Sequence, residues 1–259
     1  MSVRCRFVIL VSGAGLSLAT AASAQQATDE ALVPQPNTAA ASAPASEAAS
    51  ASGPLVYLCD SAGRLGTLNL TTKAVHVIGS LGVVLTDIAF APNGTLYGIS
   101  FTSFYKVSTT TGRATRIGSL GVSGMNALTF NKAGQAVAAS NSQTGFFLIN
   151  ITTGRASLAG QDGGFFSAGD FAYSGSHLYF STSSGQLVDF NLPAHTSQAH
   201  PDGISNLFGL AVTAPGQLYG FANTTLYKLD PSTGVGTPIV NFGGHGLGQV
   251  FGAAFKPLF

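Results

Sequence analysis

A short apolar segment returns five times along this chain. It reads Asp87-Ile88-Ala89-Phe90, then Ala127-Leu128-Thr129-Phe130, Asp170-Phe171-Ala172-Tyr173, Gly209-Leu210-Ala211-Val212 and Gly252-Ala253-Ala254-Phe255. The spacing of 39–43 residues is the period of propellers and solenoids, in which each unit is one small supersecondary element. Strand A, as we term it, is followed in the first four units by a tight turn containing Gly. A second strand B comes next, as in 95–100 (TLYGIS), 177–182 (HLYFST) and 217–222 (QLYGFA). Strand C (103–108, 145–151, 186–192, 225–230) runs into turns of the form TTTG, ITTG and PSTG at 109–112, 151–154 and 231–234. Pro231 presets φ for a type I turn, and Gly234 can take the left-handed position that closes it. A short strand D ends each unit, at 114–118, 156–160, 197–199 and 236–239.

The two ends of the repeat region are complementary. Residues 55–60, 64–70 and 74–79 read as B, C and D with no A before them, and 250–255 read as an A with no B after it. Slotting the last strand into the first unit predicts an all-β fold: a five-bladed β-propeller of four-stranded antiparallel blades over residues 54–259, closed by the C-terminal strand. Closure leaves only short outer edges and removes the long edge that invites aggregation. An open β-solenoid, the competing fold, does not account for half-repeats at the two ends.

The best-formed repeats are Ala89–Gly98, with A-F-x-P-x-G-x-L-Y-G, and Leu218–Ile239, with L-Y-x-L-D-P-x-T-G-x-x-T-x-I. This pattern resembles the repeats of uncharacterised secreted bacterial β-propellers, loosely akin to NHL and quinoprotein-type repeats. The resemblance covers residues 55–259 and its motifs are structural, so it implies a fold rather than an activity. The chain has no Trp, a departure from the quinoprotein pattern, and no quinone or other cofactor is expected.

Residues 1–24 carry the marks of a secretory signal peptide: Arg4 and Arg6, an apolar run over 7–18, and Ala22-Ser23-Ala24 before Gln25. The apolar run is too short for a membrane span. Residues 25–53 form a linker of Ala, Ser and Pro, with too little bulky apolar surface to offset the entropy of ordering. The expected protein is exported, periplasmic or extracellular, and monomeric. Loss of Cys5 with the leader leaves Cys59 alone in the strand LVYLCD, where a buried apolar role suits it.

Only 8% of residues are charged, and the formal net charge is +1. Such a surface has no basic patch for nucleic acid or for anionic lipid. The five His fall at different repeat positions without the spacing of a Zn site, so no metal is expected. No nucleophile elbow and no P-loop occurs.

In a propeller, the D–A and B–C connections share one face around the central channel, and loops held by a rigid scaffold carry function. The D–A segments here are 81–86, 120–126, 163–169, 203–208 and 243–251. The ligand-binding candidates on this face are Phe165, Phe166, Phe208, Asn126, Asn141, Asn223 and His245. Aromatics beside amides suit stacking and hydrogen bonding to a glycan or a protein. Asp87 and Asp170 share one repeat position, at the entrance of strand A. They invite a second reading, a glycoside hydrolase with its two carboxyls at the channel mouth; the same repetition also suits caps that accept backbone N–H groups of a neighbouring blade. The sequence favours a non-enzymatic binding or scaffold propeller over that hydrolase, and over a structural envelope protein without a ligand.

Overall fold

The computed structural model describes Val3, Arg4 and residues 53–214 and 217–256. Most of the expected leader, all of the linker but Gly53, the turn at 215–216 and the tail at 257–259 lie outside the described residues. β1 (Val3–Arg4) runs antiparallel to the outer strand of one blade, with Val3 opposite Ser197.

The strands form five antiparallel sheets. Blade 1 is ordered β21 (Val250–Phe255), β2 (Leu55–Asp60), β3 (Arg64–Asn69), β4 (Val75–Ser80). Blade 2 is β5 (Asp87–Phe90), β6 (Leu96–Ile99), β7 (Ser103–Val107), β8 (Ala114–Ser119). Blade 3 is β9 (Met125–Phe130), β10 (Ala136–Ser140), β11 (Phe146–Ile149), β12 (Ala156–Gly160). Blade 4 is β13 (Ser167–Ser174), β14 (His177–Thr182), β15 (Gln186–Asn191), β16 (Thr196–Pro201). Blade 5 is β17 (Leu207–Ala214), β18 (Gln217–Ala222), β19 (Thr225–Leu229), β20 (Gly236–Asn241). The protein is thus an all-β, five-bladed propeller. The C-terminal strand β21 pairs with β2, Ala253 opposite Leu58, which is the closure the half-repeats required.

The inner strands β5, β9, β13, β17 and β21 abut one another in turn around the ring. Burial follows the same logic. Inner and second strands are buried on both faces, whereas outer strands such as β8 and β20 are largely exposed. Each apolar cluster lies between two neighbouring blades rather than within one. Ile99 and Phe104 of blade 2 pack with Leu128 and Phe147 of blade 3. Val56 and Leu68 of blade 1 pack with Phe221 and Phe242 of blade 5 and so seal the ring. A thin sheet has two apolar faces to hide, and two neighbours hide them. Cys59 is buried in the cluster between blades 1 and 2.

The C–D turns repeat one device. A side chain at the end of the third strand, or one residue past it, accepts N–H groups of the turn: Asn69 Oδ1 from Thr71 at 2.8 Å, Asn150 Oδ1 from Thr152 at 3.0 Å, Asp230 Oδ1 from Ser232 at 2.9 Å. The fourth turn residue is left-handed: Gly112 at φ 78, Gly154 at φ 78 and Gly234 at φ 77. In blade 1 a lysine, Lys73, is forced there at φ 64.

Lys73→Gly relieves a left-handed Cβ and should raise stability by up to about 1 kcal/mol, read from the midpoint of urea unfolding. Removing residues 250–259 strips blade 1 of its inner strand; cooperative thermal unfolding should be lost, and an unchanged sharp transition would rule out closure by β21.

Candidate functional site

At the centre of the ring, β5, β9, β13, β17 and β21 each turn an edge toward the channel, and an unpaired N–H there needs a partner. Two carboxyls supply it for all five strands. Asp87 Oδ1 accepts the N–H of Ile88 at 2.6 Å, and Oδ2 that of Leu128 at 2.6 Å. Asp170 Oδ1 accepts from Phe171 at 2.6 Å, and Oδ2 from Leu210 at 2.7 Å and Ala253 at 3.1 Å. These five donors occupy the same repeat position, one per blade. The carboxyls also hydrogen-bond each other. Glycine at 252 makes room for them, since a Cβ there would lie 2.2 Å from Asp87 Oδ1.

Both carboxyls have no exposed surface. Burial, then the charge of Asp170, pushes Asp87 well above its ordinary value of 3.8. Burial also raises Asp170, against the pull of the N–H groups it accepts and of Asp87. Two carboxyls in contact cannot both ionise in so dry a place, so the pair shares a proton. This arrangement argues against the hydrolase reading. A retaining pair stands about 5–5.5 Å apart, and an inverting pair wider, with a sugar between them. Here the carboxyls touch and neither meets solvent.

Above this plug lies a cavity of about 870 Å³ at the channel mouth. β-Bulges build it. Opposite Ala139–Ser140, the pairing of β9 skips Asn126; opposite Phe221–Ala222, that of β17 skips Phe208; opposite Cys59–Asp60, that of β21 skips Phe251. A bulged residue leaves the ladder and its side chain is re-aimed. All three line the cavity, joined by Thr86, Ser167 and Phe101. Phe208 and Phe251 meet edge to face, their centroids 6.1 Å apart.

Part of the lining is polar. Asn126 Nδ2 donates to the Ser167 carbonyl at 3.3 Å, which turns its Oδ1 away. That Oδ1 and the Ser167 Oγ are both buried and neither has a hydrogen-bond partner. A buried acceptor without a donor costs about 1–3 kcal/mol, so two of them on residues that line the cavity call for an explanation. Asp202, also in the lining, accepts the Ile204 N–H at 2.7 Å, and burial raises its carboxyl.

The expected site residues divide. Asn126, Asn141 and Phe208 line the cavity together. Phe165 does not: it packs edge to face on Phe190, 6.2 Å away, between blades 3 and 4. Phe166 is exposed beside the cavity without lining it. Asn223 is a left-handed turn residue at φ 53 whose Oδ1 accepts from Asn206 at 3.2 Å. His245 is exposed in the β20–β21 connection, away from the lining. Asn126 and Phe208, which the sequence places in loops, belong to inner strands, because the bulges let those strands begin earlier than the apolar repeat suggests. Sequence reasoning misses Thr86, Ser167 and Asp202 as site residues. Thr86 and Asn126 precede strand A at the same repeat position, which is a usable signal; Ser167 carries none.

No family model matches the chain, and no curated protein compared with it matches. Solved structures do. A chain from the crystal structure of a nidogen/laminin complex is 12% identical, with 79% of this chain and 99% of that one covered at a TM-score of 0.57. A structural-genomics protein of unknown function from Bacteroides thetaiotaomicron is 11% identical, over 64% and 53% of the two chains, at a TM-score of 0.49. A protein from a study of the de novo evolutionary emergence of a symmetrical protein is 18% identical, over 77% and 93%, at 0.46. At such identities the first of these supports the propeller fold and nothing finer.

The plug generates two predictions. Asp170→Ala strands three N–H groups and should cost at least about 3 kcal/mol in chemical denaturation. A carboxyl raised above 3.8 contributes stability in full below that value and loses it as pH climbs through the raised one. Asp162 and Asp202, also raised by burial, act in the same direction. The melting temperature should therefore fall as pH rises above about 4, and Asp87→Asn should flatten that slope.

Proposed function

We propose that this protein is an exported, non-enzymatic binding propeller that seats part of a glycan or protein ligand in the channel mouth. The carrying observation is the pair of buried, unpartnered polar atoms, Asn126 Oδ1 and Ser167 Oγ, on two residues that line the cavity. A closed, self-satisfied ring has no use for them; a ligand with hydrogen-bond donors does. The cavity volume falls within the range of about 300–1,000 Å³ of ligand clefts. Phe208, Phe251 and the exposed Phe101 add apolar contact area around it. A protein partner is the other class the mouth admits, and the nidogen/laminin neighbour comes from a complex of proteins. Export rests on the leader motif at 1–24.

The test exploits Ser167, whose hydroxyl serves no hydrogen bond in the fold. Ser167→Ala should leave thermal stability unchanged or slightly higher, yet weaken binding in a screen of glycans and peptides by about tenfold. Phe208→Ala should abolish the same hits, and His245→Ala should leave them intact. Hits insensitive to Ser167 and Phe208 would move the site away from the mouth.

A further inference from the structure

The lining of the mouth limits what it can hold. Its charged residues, among those described, come down to Asp202, and Lys, Arg and His are absent from it. An anionic ligand would give up its hydration with no counter-charge in return, opposite Asp202 and above the carboxyl pair. A full cation needs a carboxylate to replace its water. Asp202 is already engaged by the Ile204 N–H, and the carboxyl pair is covered by five backbone N–H groups. The unpartnered atoms in the wall are Asn126 Oδ1, which can only accept, and the Ser167 hydroxyl, which can accept or donate. Uncharged hydroxyls on the ligand satisfy both. Phe208 and Phe251, in the same lining, add aromatic surface suited to C–H groups. A ligand that offers both hydroxyls and apolar C–H surface is a sugar ring, and about 870 Å³ admits more than one such ring.

We infer that the channel mouth binds an uncharged oligosaccharide, with ring hydroxyls donating to Asn126 Oδ1 and Ser167 Oγ and an apolar sugar face against Phe208 and Phe251. This rests on the mouth being the binding site. It adds a chemical class: neutral, polyhydroxylated, and insensitive to salt because no ion pair forms.

The experiment is calorimetric titration of the full chain with three sets of trisaccharides. The first is uncharged, built from glucose, mannose or N-acetylglucosamine; the second is trigalacturonate; the third is triglucosamine. The expected result is binding of at least one uncharged trisaccharide, unaffected by added salt, weakened about tenfold by Ser167→Ala and at least as much by Phe208→Ala. Asn126→Ala is a weaker test alone, because it also removes the hydrogen bond to the Ser167 carbonyl. Tighter binding of trigalacturonate or triglucosamine, lost in Ser167→Ala and Phe208→Ala, would overturn the class while leaving the mouth as the site. Binding untouched by those variants, or none in all three sets while a peptide binds and depends on them, would overturn the sugar assignment; the first outcome would discard the mouth as well.

Discussion

Five backbone N–H groups, one from each inner strand, converge on two carboxyls, and the ring is arranged around that meeting. An inner strand pairs on one side only. Its other edge faces the channel axis, and the polar groups there must be satisfied by something other than a sheet. Asp87 takes the N–H of Ile88 in its own blade and of Leu128 in the next. Asp170 takes its own Phe171, then Leu210 and Ala253 from blades 5 and 1. Between them the two side chains link every blade at the axis, while the apolar clusters link neighbouring blades farther out. The hydrogen bonds fix the direction of each strand; the clusters supply most of the area removed from water.

The plug also separates the channel into two unlike ends. Below it is a smaller hollow of about 210 Å³, lined by Phe90, Phe130, Tyr173 and Phe255 among others. Above it the bulged residues Asn126, Phe208 and Phe251 open the mouth. A bulge weakens a ladder, and four of five inner strands carry a register shift at or just before the plug, β13 among them between Ser167 and Phe171. Regular pairing there would run the strands on unbroken and narrow the opening. The mouth thus depends on irregularity in the same strands whose regularity, a few residues on, holds the axis together.

Much of the architecture is legible from the chain. The apolar repeat, the complementary half-repeats and the turn glycines are local patterns, and local patterns survive in one dimension. Asp87 and Asp170 are visible as a repeated position, and a role as N–H acceptors is one of the two that repetition at a strand entrance suggests. Phe165 is misplaced by the sequence for the opposite reason. A phenylalanine before a strand looks the same whether it faces solvent or turns inward onto Phe190, and that choice is made by a residue in another strand of the sheet. Asn126 and Phe208 stand out in the sequence, but as loop residues, because a bulge is a mismatch between two strands and neither strand records it alone.

The amino-acid order by itself determined the number of blades and the closing strand, since each depends on period and on hydrophobic alternation. It did not determine that two aspartates from blades 2 and 4 would touch, nor that Ser167 and Asn126 would lie in one wall with an acceptor left over. Those facts depend on the angle at which five sheets pack around an axis. That angle is set by side chains such as Phe104, Phe146 and Phe221, wedged between neighbouring blades, and it exists only once the ring has closed.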